Sequence, residues 1–396
     1  MRRPLLRAII AGVALAAAAE GSAACTNTGS FERWLSEFKA EARAKGISPG
    51  AIAALDGVAL DQGIIARDRR QSVFSQSFLE FSDRMAAKYR IDKGRQLISE
   101  RNALFGKVEQ QFGVPAPVIV AFWALETDFG HDSGHLPTLT SLATLAYDCR
   151  RPEKFRAELL DALRIIQKGD LTPGEMVGSW AGEIGQTQFV PSIYLKYAID
   201  YEGDGKADLI HNATDVVAST ANYLNGLGWR RGEPWLKEVH VPESMDWAEA
   251  DLTIQRPVSE WLRRGVRIAD GSNIPGELPA SLLLPMGRHG PAFLTFQNFK
   301  VFLDWNQSLV YSTTVAYLAT RVAGAPPITR GTAVPFGYEP TVGLQQLLKA
   351  RGFYNGDVDG KLGIGTRASV KQAQQKFGLP ADSYPSPELV ARLQPH

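Results

Sequence analysis

Glu126 follows eight consecutive apolar residues, Val118-Ile-Val-Ala-Phe-Trp-Ala-Leu125. A carboxyl approached by such a run is partly desolvated, which disfavours its charged form and lets it hold a proton near neutral pH for use as a general acid. Cleavage of a glycosidic bond is one reaction that needs such a group. A second segment, Gly178-Ser-Trp-Ala-Gly-Glu-Ile-Gly-Gln-Thr-Gln-Phe-Val-Pro-Ser192, combines glycines, glutamines and a tryptophan. That composition suits close backbone packing beside polar groups able to grip hydroxyls and amides, or else a plain glycine-rich turn between helices.

Two further clusters carry possible metal chemistry. Asp200-Tyr-Glu-Gly-Asp-Gly-Lys-Ala-Asp208 places oxygen ligands at alternating positions with Gly205 at the sharp turn, as a calcium loop does. It departs from that pattern at Glu202 and at His211, where a bidentate glutamate belongs, so a structural calcium and a solvated acidic turn are both open readings. His131-Asp-Ser-Gly-His135 has the spacing of a helical zinc pair, but Gly130 and Gly134 favour a loop and no third ligand is evident, so zinc is set aside.

Forty-three Lys and Arg against 42 Asp and Glu leave no global field to draw the chain onto nucleic acid or anionic lipid. With 396 residues, 44% of them hydrophobic, the chain can build more than one core. Residues 1–24 read as an export signal: Arg2, Arg3 and Arg7 precede the apolar run Ala8 to Ala19, and Ser22-Ala-Ala24 follows. The run is too short for a membrane span, which needs roughly 20 residues. The two cysteines, Cys25 and Cys149, would meet an oxidising compartment, periplasm or cell envelope, where they can pair. The alternative for Cys25 is a lipid anchor, against which stands Ser22 where a large aliphatic residue is expected.

The elements that must position these residues are mainly α-helical. Phe31, Trp34, Leu35 and Phe38 share a helical face, Phe78 to Tyr89 and Phe155 to Gln167 repeat the period, and Tyr311 to Val322 returns to it. Val114-Pro-Ala-Pro117 starts the helix that carries Glu126 and Gly130 stops it. Between Trp229 and Trp305 the runs Ser281–Leu284 and Ala292–Phe296, joined through the turn Gly287-Arg-His-Gly290, indicate a small β-containing subdomain inserted in the helical domain. Residues 323–337 read as a linker, beginning at Gly324-Ala-Pro-Pro-Ile. Residues 338–394 form a separate three-helix module, with Thr366 capping its second helix and Ser386-Pro387 starting its third.

Taken in order, Glu126-Thr-Asp-Phe-Gly130, Ser141-Leu-Ala-Thr-Leu-Ala-Tyr147, Arg150-Arg151, the 178–192 segment, Ala218-Ser-Thr-Ala-Asn-Tyr-Leu224 and Gly228-Trp229 resemble the lytic murein transglycosylase B family over residues 30–322. Gly343-Leu-Gln-Gln-Leu-Leu, Gly352-Phe-Tyr-Asn-Gly-Asp-Val-Asp-Gly360 and Thr366-Arg-Ala-Ser-Val-Lys-Gln-Ala-Gln resemble a peptidoglycan-binding domain. The resemblance implies a lysozyme-like domain that cleaves between N-acetylmuramic acid and N-acetylglucosamine and closes a 1,6-anhydro ring, with no cofactor for catalysis. It puts Glu126 at the catalytic position, first acid and then base, and Ser179, Gln188, Tyr223 and Asn306 at substrate-contacting positions. It also offers Asp215 as a further ligand closing the calcium loop of Asp200, Glu202 and Asp204.

The sequence departs from the family pattern at Asp128, Trp180, Trp305 and Glu183. Glu183 matters most, because a second carboxylate could activate water and make the chain a hydrolytic muramidase, or could simply support its loop. The rival from another class is a non-catalytic wall-binding scaffold. The expected partner is the peptidoglycan glycan strand, with the protein a monomer.

Overall fold

The computed structural model describes residues 29–69 and 76–395. Residues 1–24, read above as an export signal, and Cys25 lie outside them, while Cys149 is disulfide-bonded. None of the described helices is long and apolar enough to cross a membrane.

The body is helical, and its axis is the helix Ala116–Thr127. Pro115 caps it and Pro117 lies in its first turn. Apolar on every side, it is buried on every side, packed against Lys88–Glu100 and Leu309–Val322. Gly94 permits the first of these contacts, since a Cβ there would stand 2.6 Å from Val120 Cγ1. The helix ends at Asp128, earlier than Gly130: Asp128 (φ 52°) and Phe129 (φ 64°) both take the left-handed conformation. Thr127 holds this turn, accepting from the Gly130 amide (2.9 Å) and donating to the Gln186 carbonyl (2.5 Å).

The helical run expected over Phe78 to Tyr89 is broken. Phe78–Met85 stops, Ala87 is extended, and Lys88–Glu100 begins anew. The Arg90 guanidinium caps the break by donating to the Arg84 and Met85 carbonyls (3.1 and 3.3 Å) while pairing with Asp128 (2.9 Å).

The inserted subdomain is a five-stranded antiparallel sheet in the spatial order Arg256–Pro257, Pro279–Leu283, Phe293–Thr295, Leu236–His240, Arg267–Ile268. Its hairpin pairs Leu282 with Leu294 and Leu283 with Phe293. Side chains alternate across a sheet, so Leu282 and Leu294 enter a local core with Trp261 and Val258 while Leu283 and Phe293 join the main helical core. Burial on both faces accounts for the unbroken leucine run.

Tyr338–Ala350, Ile364–Lys376 and Pro387–Leu393 form the C-terminal module around Leu344, Leu348, Val370, Ala373, Leu389 and Leu393. Gly363, rather than Thr366, caps its second helix; Thr366 lies one turn in and donates to the Lys361 carbonyl (3.1 Å). The module is docked on the inserted sheet. Buried Arg367 donates to the carbonyls of Leu284 (2.6 Å) and Pro285 (3.0 Å), Lys371 pairs with Asp251 (2.6 Å), and Tyr384 belongs to the main core.

Candidate functional site

Glu126 meets two partners that sequence order separates widely. The Trp305 indole N–H donates to its Oε1 (2.8 Å), and the Tyr311 hydroxyl donates to the same oxygen. Oε2 has no hydrogen-bond partner among the described residues, and Glu126 keeps a partly exposed edge, so this oxygen is the one available to a ligand. Burial raises the carboxyl from 4.5 to about 7 and the Glu183 charge adds to the rise, while the Tyr311 and Trp305 donors oppose it. The group therefore exchanges a proton near neutrality, as the apolar approach in sequence anticipated.

Trp305 ends the helix Gln297–Trp305 and lies against Phe122 (centroids 4.3 Å), Tyr223 (5.0 Å) and Phe189 (5.7 Å). Tyr311 is set by turn chemistry: Asn306 Oδ1 accepts from the Ser308 amide (2.9 Å), and Ser308 caps the next helix by accepting from the Tyr311 amide (3.3 Å). Burial and the Glu126 carboxylate drive the Tyr311 phenol well above its ordinary value, so it remains a donor. Its role at the carboxyl was missed in the sequence, where Tyr311 marks only a helix start. The available signal was the Asn306-Gln-Ser308 cap that aims it.

The 178–192 segment is a tight double turn, with Ile184 bridged to both Gly178 and Phe189. A methyl on Gly178 would collide with the Glu183 carbonyl oxygen, so only glycine allows this closure. The Glu183 carboxylate accepts from Ser179 Oγ (2.8 Å), rather than from backbone or an arginine. Burial raises Glu183, against the Ser179 donor and the Lys154 charge. Glu126 and Glu183 interact through charge and share no hydrogen bond.

Gln188 is held in a left-handed conformation (φ 52°), its amide donating to the Gly185 (2.9 Å) and Ser133 (3.1 Å) carbonyls, with no partner for its oxygen among the described residues. Gln186, which sequence reading passed over, ties this segment to the Glu126 helix by accepting from the Trp123 indole (2.9 Å). Tyr223 is half-buried between Trp305 and Tyr197, its phenol pushed up to about 12 by burial and the neighbouring Tyr197 and Asp304. Glu126, Trp305, Asn306, Tyr311 and Tyr223 are thus contiguous, and the Ser179–Glu183 pair stands within electrostatic reach of them.

Of the two readings left open for the acidic loop, the arrangement of its side chains is that of a hydrogen-bonded acidic turn. Asp200 accepts from the Gly203, Asp204 and Gly205 amides, Asp215 from those of Tyr201 and Asp208, and Glu202 from the side chains of Asn212 and Thr214. Asp204 turns to the Lys206 amide. Among the described residues no group of three or more His, Cys, Asp or Glu side chains converges on a metal-sized point.

Residues 30–320 match the transglycosylase SLT domain family, and residues 339–393 match a putative peptidoglycan-binding domain. The chain belongs to the SLT transglycosylase family. Among solved structures, it resembles SltB3 of Pseudomonas aeruginosa in complex with NAG-NAM-pentapeptide, at 40% identity and a TM-score of 0.86, over 92% of this chain and all of that one. SltB1 of the same organism follows at 27% identity and 0.65, over 74% of this chain and 98% of that one. The membrane-bound lytic murein transglycosylase B of Escherichia coli is 38% identical over 125 residues, 31% of this chain and 34% of that protein. The SLT match spans the helical body and its inserted sheet, and the likeness to SltB3 extends over 92% of the chain.

Proposed function

We propose that this SLT family protein is a peptidoglycan lytic transglycosylase that cleaves the β-1,4 bond between N-acetylmuramic acid and N-acetylglucosamine and leaves a 1,6-anhydro end. The observation that carries this reading is a single carboxyl held near neutrality, with one oxygen fixed by Trp305 and Tyr311 and the other open. Protonated Glu126 gives its proton to the glycosidic oxygen as the bond to C1 breaks. The carboxylate left behind is stabilised by the same two donors and then takes the proton of the C6 hydroxyl, whose oxygen bonds to C1. No water is consumed and Glu126 ends protonated, ready for another cycle.

Glu183 supports this reading over hydrolysis. Its carboxylate is engaged by the Ser179 hydroxyl of its own loop, which supports a part in holding that loop over the activation of water. Tyr223 and Trp305 offer aromatic faces to a sugar ring, and Ser179, Gln188 and Asn306 offer polar groups to its hydroxyls and amide. The C-terminal module holds the wall, the leader directs export to the periplasm or envelope, Cys25 pairs with Cys149 in place of carrying lipid, and the protein acts as a monomer.

Digestion of purified murein followed by mass spectrometry of the fragments tests the chemistry. Anhydro ends are expected; reducing ends would establish a muramidase, and no release would establish a scaffold. Removal of residues 338–396 is expected to lower retention on sacculi. It also strips Arg367 from the Leu284 and Pro285 carbonyls, so melting is recorded alongside.

A further inference from the structure

A cavity of about 300 Å³ lies at the junction of the inserted sheet and the linker, lined in part by Glu238, His240, Arg288, His289, Thr329 and Thr332. A neighbouring cavity of about 210 Å³ shares Glu238, His240 and Thr329 with it. Their walls are built in. The Thr332 and Ala333 amides donate to the His289 carbonyl (2.7 and 3.0 Å), the Thr329 amide donates to Glu238 Oε1 (2.7 Å), and Arg330 pairs with Asp83 (2.6 Å). Gly331, in the left-handed conformation, lets the linker press on this loop, where a methyl would collide with the His289 carbonyl. The Arg288 amide is held by Asp382 (3.0 Å).

Not all of the charges lining this space cancel in pairs. Lys237 and Asp270 pair at 2.8 Å, and that ion pair with the Ser272 bonds holds Asp270 at about 2, so these two charges are satisfied. Arg288 donates from Nε to His289 Nε2 (3.0 Å) and makes no ion pair among the described residues. Glu238 uses one oxygen for the Thr329 amide and makes no ion pair there either. A guanidinium and a carboxylate thus share one cavity without neutralising each other. A ligand carrying both an ammonium and a carboxylate brings a countercharge to each, whereas a neutral N-acetylated sugar brings hydrogen bonds and no countercharge. The volume lies at the small end of ligand pockets, which run from roughly 300 Å³ upward.

We propose that this cavity binds the zwitterionic end of a short peptide, with Arg288 taking the carboxylate, Glu238 the ammonium, and His240 at the shared wall. The site is separate from the Glu126 chemistry; only the choice of probe, a wall stem peptide, rests on the proposed function.

The test is calorimetric titration of the full-length protein with L-alanyl-γ-D-glutamyl-meso-diaminopimelate. Saturable binding is expected, weakened about tenfold or more in Arg288→Gln and in Glu238→Gln, each checked for unchanged melting. Acetylating the peptide amines should cost wild type that factor and make Glu238→Gln no worse; amidating its carboxylates should do the same for Arg288→Gln. Absence of binding to folded protein, or variants that bind as wild type does, would overturn the site. A protein that digests murein yet ignores the peptide refutes the site and leaves the proposed function standing. Peptide binding without glycan release does the reverse.

Discussion

Replacing Glu126 with glutamine should abolish activity and, at the same time, make the protein more stable at alkaline pH. The carboxyl is held at about 7 against an ordinary 4.5, chiefly by burial. At about 1.4 kcal/mol per pH unit that gap is on the order of 3 kcal/mol, and solvent at the accessible edge screens it to roughly 2 kcal/mol. In the unfolded chain the group releases its proton near 4.5; in the folded chain it keeps it until about 7. The folded state binds more protons across that window, so this contribution to stability is complete below pH 4.5 and is lost as pH rises through 7. Glutamine keeps an oxygen for the Trp305 and Tyr311 donors but cannot ionise. Urea denaturation of both proteins from pH 4 to 8 should therefore give a difference that grows by roughly 2 kcal/mol toward the alkaline end. Murein digestion should fall by at least about 100-fold. Stability curves that run parallel across this range would refute the buried-acid account, and retained digestion would remove Glu126 from the chemistry.

Tyr311→Phe removes a donor that favours the carboxylate, so Glu126 rises and the alkaline limb of activity moves to higher pH, with rates down roughly 10²-fold; Glu183→Gln removes a charge that raises Glu126 and moves the same limb to lower pH. Shifts in one direction for both variants would contradict the assignment. Gly178→Ala should cost about 1–3 kcal/mol in a thermal melt, because the methyl strikes the Glu183 carbonyl; an unchanged melt would show that the turn can relax. Arg367→Met leaves the Pro285 carbonyl without its Arg367 donor and the Leu284 carbonyl with the Gly287 amide alone, costing about 1 kcal/mol or more in all. Limited proteolysis should then cut the linker at 323–337, and resistance equal to wild type would mean the module is held by other contacts. With backbone amides on the carboxylates of the 200–215 loop, chelator treatment should leave the melting temperature unchanged, and a drop of several degrees would restore the calcium reading.

Local chemistry was legible along the chain. The apolar run before Glu126 marked a buried acid, proline marked the start of its helix, and Ser386-Pro387 marked the last helix of the module, where Ser386 accepts from the Leu389 amide. The leucine run and the Gly287–Gly290 turn gave the hairpin. What escaped were features decided at a distance. The break after Met85 depends on Arg90 reaching back to two carbonyls while held by Asp128, and the stop at Asp128 depends on Thr127 bonding to Gln186. Thr366 and Gly363 are both acceptable caps by residue type, and the docked loop with Gln345 bonded to Thr366 chose between them.

The sequence by itself determined that a carboxyl would be desolvated, because eight neighbouring apolar side chains must leave water together. It also determined that glycine at 178 and 182 would let a polar segment close tightly nearby. Only the tertiary structure decided what the carboxyl can do. Trp305 and Tyr311 arrive from 179 and 185 residues away to occupy one oxygen, and Ser179 claims the second carboxylate. The proton affinity of Glu126 is the sum of burial, two donors and one distant charge, and the donors and the charge are not properties of its neighbours in the chain.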